Sequence, residues 1–310
     1  MPRLLATQSH VVHGFVGNKA ATFPLQCKGW DVDCLNSVQF SNHTGYGMER
    51  VFGTCTSAQE LQLVFDGLKV LSDYDAMLSG YLPNQESVAC MAKNYKELKM
   101  KQPNLIWLLD PVMGDNGQLY VSKDVIPEYK SLVQSSLVDV ITPNQFELEI
   151  LYGREIHSLR ELQSALHTLH KTVPIIVVTS CSPELFNDSE HLYCVASKRG
   201  QTPTIYRVPI IDSYFTGVGD LFSALLLDTI YNMQKGPKSK DVVSLDINHV
   251  LGIVQKVLAV TLENSPTNIK AAMGSPLTMK EMELRIIESR DWYVFAGPTD
   301  NFVYRQLDAI

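Results

Sequence analysis

The 310 residues carry 26 Lys+Arg against 33 Asp+Glu, and 45% of them are apolar. A chain this long buries a substantial core without disulfides or a structural metal, and 19% charged residues exclude a disordered chain. The net charge of −7 excludes a general nucleic-acid binder, which needs a basic face against the phosphates; a small anion held by backbone N–H groups stays open.

In chain order, residues 4–7 read as a first strand, 17–28 as a helix and 31–40 as a second extended run. Residues 40–56 fit neither period and read as a projecting flap. Leu61, Val64, Phe65 and Leu68 give 57–71 a helical spacing. Residues 76–79 form a short strand and 84–101 a helix with a basic end, which suits the helix dipole. Three continuous apolar runs follow: 105–109 ending at Asp110-Pro111, 138–141 ending at Thr142-Pro143-Asn144, and 175–178 ending at Thr179-Ser180. Such runs, separated by helices, predict a mostly parallel sheet covered by helices on both faces. Ligands of such sheets sit beyond the carboxyl ends of the strands. Residues 191–197 and 204–209 suggest a hairpin; 217–232, 246–263 and 278–289 read as helices, and 231–245 as a surface loop. No repeat or linker divides the chain, so the expectation is one α/β domain over 1–310 with a small flap.

Cys27, Cys34, Cys55, Cys90, Cys181 and Cys194 are scattered without a CxxC pair, and are expected to be reduced and mostly buried. Met1-Pro2-Arg3-Leu4-Leu5 lacks a signal-length apolar run, and no stretch approaches the roughly 18 apolar residues of a membrane span. A cytoplasmic protein with no membrane partner is the expectation. Phe146, Trp107 and Phe222 read as core aromatics.

Gly217-Val218-Gly219-Asp220 runs directly into the apolar stretch Leu221–Leu227. Two glycines let backbone N–H groups turn toward one point, and the helix aims its positive end there. That makes an anion hole for a phosphoryl group, with Asp220 placed to accept a proton from an attacking hydroxyl; an ordinary helix start is the plainer alternative. Asp110 and Asp115 would put two carboxylates on the crevice, hard oxygen ligands suited to Mg²⁺ bridging to phosphates. Asn144 and Glu147 have the spacing of a capping box, with Asn in place of Ser or Thr. They could also hold a hydrated Mg²⁺ near nucleotide phosphates. Ser9, at the first strand end, could hydrogen-bond a substrate. His10 and His13 lack two further ligands for zinc. No GxxxxGK[ST] loop is present, and Gly14–Asn18 is not a dinucleotide fingerprint.

Together these motifs resemble the ribokinase-like superfamily. Gln8-Ser9-His10, residues 14–26 and Ser41-Asn42-His43-Thr44-Gly45-Tyr46 narrow the resemblance to the pyridoxal kinase family. The resemblance covers about residues 3–290 and implies ATP-dependent phosphorylation of the 5′-hydroxymethyl group of pyridoxal, pyridoxine or pyridoxamine. It implies Asp220 as base and the backbone of Gly217, Val218 and Gly219 as the anion hole. Asp110, Asp115, Asn144 and Glu147 would surround metal and phosphates, with Asp110 and Glu147 reaching the metal largely through water. Thr142, Thr179 and Ser180 would contact the nucleotide; Ser9, Val16, Phe40, Thr44 and Tyr81 would line the vitamin pocket. Family members use Mg²⁺ with ATP, often respond to K⁺ or another monovalent cation, and are usually homodimers. Val218 stands where many relatives have Thr, the stretch 114–120 is short, and Tyr81-Leu82-Pro83 lacks an Arg that some relatives carry. The alternatives are a hydroxymethylpyrimidine kinase and a catalytically weak homologue that binds pyridoxal phosphate.

Overall fold

The computed structural model describes residues 1–71, 73–235, 245–266 and 269–307. β1 (Arg3–Val11), α1 (Asn18–Cys27) and β2 (Asp31–Phe40) are followed by two 3₁₀ turns (Thr44–Tyr46, Met48–Arg50) and β3 (Gly53–Cys55). Then come α2 (Ala58–Leu68), β4 (Ala76–Ser79), α3 (Gln85–Lys101), β5 (Ile106–Leu109), β6 (Gly114–Asp115) and β7 (Gln118–Leu119). α4 (Val125–Gln134), β8 (Val140–Ile141), α5 (Gln145–Tyr152), α6 (Leu159–Leu169) and β9 (Ile175–Cys181) come next. After them lie β10 (His191–Lys198), β11 (Thr204–Pro209), α7 (Val218–Lys235), α8 (Asn248–Glu263), α9 (Pro276–Glu281), α10 (Arg290–Tyr293) and β12 (Val303–Gln306).

Among the described residues ten strands form one sheet, ordered β12-β11-β10-β9-β8-β5-β4-β1-β2-β3. The six from β9 to β2 are parallel. Both edges are antiparallel: β10, β11 and β12 on one side, β3 on the other. Strand side chains alternate between faces, and the core divides accordingly. Leu5, Met77, Trp107 and Leu109 pack under α2 to α6, with Phe65, Tyr95, Tyr129, Leu148 and Leu166. Leu4, Ala6, Leu78, Ile106 and Leu108 pack under α1, α7 and α8, with Leu25, Leu225 and Val254. Hence the strands read as unbroken apolar runs. From β1 the chain moves outward to β2, then returns to β4 on the other side and continues to β5, β8 and β9. The order therefore reverses between β1 and β4, which is where an open α/β sheet leaves a crevice.

The expected parallel sheet with helices on both faces is the fold observed. Details differ. The helix expected over 278–289 is only Pro276–Glu281, because the chain turns at Met282 and sends the Glu283 carboxylate inward. Residues 231–235 continue α7 instead of opening a loop; the rest of that expectation, 236–244, lies outside the described residues. The flap contains the antiparallel strand β3 beside its 3₁₀ turns. The hairpin β6–β7, the helices α4 and α6 and the edge strand β12 are additions to the expected elements. All six cysteines are free thiols, but only Cys181 and Cys194 are buried, while Cys34 and Cys55 are exposed. Trp107 and Phe222 are core residues; Phe146 is half-buried, its ring against the hairpin at Gly114.

Candidate active site

The bend at the head of α7 depends on glycine. Gly217 has φ +86°, and a Cβ there would lie 2.0 Å from the Phe15 carbonyl oxygen. Only a residue without a side chain lets the bend close on the loop that follows β1. The first helical bond runs from Leu221 N to Gly217 O at 3.0 Å. The N–H groups of Val218, Gly219 and Asp220 thus precede the intrahelical ladder and point out of the positive end of an 18-residue helix. A Cβ on Gly219 would meet nothing within 4 Å, so this turn faces open space. Val218 turns its side chain onto the core.

Asp220 lies partly buried in this first turn. Burial pushes its carboxyl up to about 6, against the Gly17 N–H and the nearby His43 ring, which pull it back. Asp110, at the end of β5, is 6% exposed. Burial and then the charge of Asp220 push its carboxyl up to about 8, while hydroxyls of Ser223 and Thr142 oppose the rise. Ser223 Oγ donates to Asp110 Oδ2 at 3.2 Å, and Thr142 Oγ1 lies 2.9 Å from Ser223 Oγ. The fold thus gathers two strand ends and the α7 N-terminus around a pair of mutually repelling carboxyls. A cation or a proton relieves that repulsion.

Asn144 and Glu147 do form the capping box. Asn144 Oδ1 accepts from Glu147 N at 2.9 Å, and Glu147 Oε2 from Asn144 N at 3.0 Å. Glu147 Oε1 also accepts from Met113 N (2.8 Å) and Gly114 N (3.3 Å), and Asn144 Nδ2 donates to Gly114 O at 2.7 Å. Together the pair ties the β6–β7 hairpin to α5. Burial and the Asp110 charge raise the Glu147 carboxyl, and the three N–H donors oppose them. With both oxygens taken by backbone donors, Glu147 suits contact with a metal through water. Asp115 sits in the hairpin, partly buried, its Oδ1 accepting from Asn116 N at 2.8 Å. Thr179, in β9, donates its N–H to Pro143 O at 2.9 Å, which brings Thr179 and Ser180 beside Thr142. Among the described residues no three His, Cys, Asp or Glu side chains converge as a metal cage.

On the other side of the crevice Gly17, at φ +53°, presses on Ser9, whose oxygens would lie 2.2 and 2.3 Å from a Cβ there. The buried Val16 follows Phe15 and flanks the Gly217 bend. Phe40 ends β2 opposite Val11, and Thr44 opens the first 3₁₀ turn of the flap. Tyr81 lies two residues beyond Ser79, the partner of Thr7, and its carbonyl accepts from Ser37 Oγ at 2.7 Å. Sequence reading missed Ser223 and Glu283, and carried His43 only within the Ser41–Tyr46 motif. Ser223 had a signal: three residues after Asp220, it shares that helix face. Glu283 had none, since its partner His43 is 240 positions away.

A family model described as phosphomethylpyrimidine kinase matches residues 26–268. A Saccharomyces cerevisiae protein provisionally named a pyridoxal kinase is 62% identical, over 99% of this chain and 100% of its own length. The pyridoxal kinase of Ovis aries is 38% identical, over 93% of this chain and 94% of its own. Among solved structures, the pyridoxal kinase of Leishmania donovani in complex with ADP and pyridoxamine superposes with a TM-score of 0.80 at 32% identity, covering 94% of this chain and 96% of that one. The same enzyme with ADP and pyridoxine gives a TM-score of 0.81, covering 96% and 97%.

Proposed function

The chain belongs to the pyridoxal kinase family of ribokinase-like enzymes, and from that premise we propose that it transfers the γ-phosphoryl group of ATP to the 5′-hydroxymethyl group of pyridoxal, pyridoxine or pyridoxamine. The observation that carries the reading is the Gly217 bend. It leaves the N–H groups of Val218, Gly219 and Asp220 outside the helical ladder, with the Asp220 carboxyl in the same first turn. Asp220 takes the proton of the vitamin alcohol as its oxygen bonds to the γ-phosphorus. The bond from that phosphorus to the bridging oxygen breaks, and ADP leaves with the electron pair. The growing charge on the transferred group meets the N–H groups of Val218 and Gly219 and the helix dipole. These groups are in place before reaction, so no reorganisation is needed.

Asp110, with Glu147 largely through water, would hold Mg²⁺, which would supply neutralisation of phosphate charge. The donor set fits it: burial and the Asp220 charge raise the Asp110 carboxyl, the Asp110 charge raises Glu147, and Asp115 would add a hard oxygen from the β6–β7 hairpin. Thr142, Asn144, Thr179 and Ser180 surround the nucleotide at the ends of β8 and β9. Ser9, Val16, Phe40, Thr44 and Tyr81 hold the vitamin ring on the flap side. A K⁺ response, a homodimer, a cytoplasmic location and a single folding unit over 1–310 complete the proposal. Supporting the last is one sheet that takes strands from Arg3 to Gln306. No helix among the described residues is long and apolar enough to cross a membrane.

The match to the phosphomethylpyrimidine kinase model favours a second reading, phosphorylation of hydroxymethylpyrimidine. A coupled assay with Mg·ATP across pyridoxal, pyridoxine, pyridoxamine and hydroxymethylpyrimidine decides between them. The first reading requires turnover of at least one B6 alcohol in preference to the pyrimidine. Turnover of the pyrimidine alone would replace it, and turnover of none would end both.

A further inference from the structure

Glu283 lies outside every motif above, yet its buried carboxylate joins three separate segments. His43 Nε2 and Tyr46 OH, both on the flap, donate to Oε1 at 2.7 Å each. Gly45 N donates to His43 Nδ1 at 3.2 Å, which leaves Nε2 as the protonated nitrogen facing Glu283. Phe15 N, in the loop after β1, donates to Oε2 at 3.1 Å. Gly14 in that loop has φ +92°, and a Cβ there would come within 2.7 Å of the carboxylate oxygens. The next contact along the loop is the Phe15 carbonyl against the Gly217 bend, and Gly17 N–H bonds Asp220. His43 and Glu283 are 5% and 7% exposed. Burial drives the Glu283 carboxyl up, but the bonds from His43, Tyr46 and Phe15 outweigh it and keep it ionised.

We propose that Glu283 is a positioning residue: through His43 and Tyr46 it latches the flap, and through Phe15 it sets the loop that touches both the vitamin side and the Gly217 bend. This rests on the kinase reading for its effect on turnover, because Thr44 and Val16 belong to the two latched segments. The nucleotide side, built on β8, β9 and the β6–β7 hairpin, touches none of these bonds. The latch therefore acts mainly on binding of the vitamin alcohol, and reaches ATP only at its transferred end, through the Gly217 bend.

The substitution Glu283→Gln keeps the shape but turns an amide N–H toward Phe15 N–H or toward His43. The expected result is a KM for pyridoxal raised about tenfold or more, as for loss of a hydrogen bond to a charged group, with the KM for ATP within about twofold. A second measurement does not depend on activity. Arg50 is the one Lys or Arg between Lys28 and Lys69, and it lies in the flap. Trypsin should cut after Arg50 several-fold faster in Glu283→Gln than in the native protein under native conditions. If Glu283→Gln does not fold, His43→Ala removes the flap half of the latch and should give the same two changes. An unchanged pyridoxal KM, an equal rise in both KM values, or native-rate cleavage at Arg50 would overturn the latch. A native protein inactive on every alcohol would sink the kinase reading alone, and the cleavage rates would still judge the latch.

Discussion

Asp220 and Asp110 are identical side chains whose surroundings raise their carboxyls to different extents. Burial pushes the Asp220 carboxyl up to about 6, so it can accept a proton at neutral pH; burial and the Asp220 charge raise Asp110 further, so it holds its proton more tightly and a cation favours its release. Changing Asp220 to Asn should lower turnover of the B6 alcohol by about 10²–10⁴-fold, the usual scale for a lost general base. Near-native turnover in a coupled assay would exclude the role. Because the base must be ionised, kcat/KM should rise with pH through about 6. Ser223 donates to the Asp110 carboxylate and so favours its ionised form. Ser223→Ala should therefore move the Asp110 titration upward, read by NMR of the nucleotide-free protein; a downward move would contradict the assignment.

At the scale of elements, a few local contacts decide where the site can form. The α5 capping box supports both its own helix and the β6–β7 hairpin, which the proposal sets beside the nucleotide. Asn144→Ala should cost about 1 kcal/mol in stability, measured by urea unfolding. It should also raise the KM for ATP more than that for pyridoxal. The bend before α7 is less tolerant. Gly217→Ala puts a Cβ on the Phe15 carbonyl and imposes a left-handed conformation that costs about 1–2 kcal/mol by itself. A soluble Gly217→Ala protein with native turnover would show that the bend is not the anion hole. Capping residues and a Gly-rich helix start are legible because they act within a few positions of the chain. The helix expected over 278–289 fails for the opposite reason: its periodicity is local, but the pull on Glu283 comes from His43, Tyr46 and Phe15, far away in sequence.

For the molecule as a whole, the cost of the site is a pH dependence. Asp110 has a carboxyl raised above its unfolded value, so between about pH 4 and 8 the native state binds more protons than the unfolded one. Stability from this group is therefore highest at low pH and falls as pH rises through about 8. Melting temperatures of nucleotide-free protein, native minus Asp110→Asn, should fall between pH 5 and 8.5; a flat or rising difference would refute it. Bound Mg·ATP should offset the fall, since it favours the ionised carboxylate.

The layered α/β sheet is legible in the residues alone, because continuous apolar strands and helix-period segments are consequences of local spacing. So is the placing of the candidate chemistry at the strand ends and at the α7 bend, because strand ends, caps and glycine bends are written in adjacent residues. Which strands neighbour one another, where the crevice opens between β1 and β4, and which partners Ser223 and Glu283 bond become visible in the folded chain alone. Those outcomes depend on contacts between residues tens to hundreds of positions apart, and no local pattern encodes which buried donor will meet which buried carboxylate.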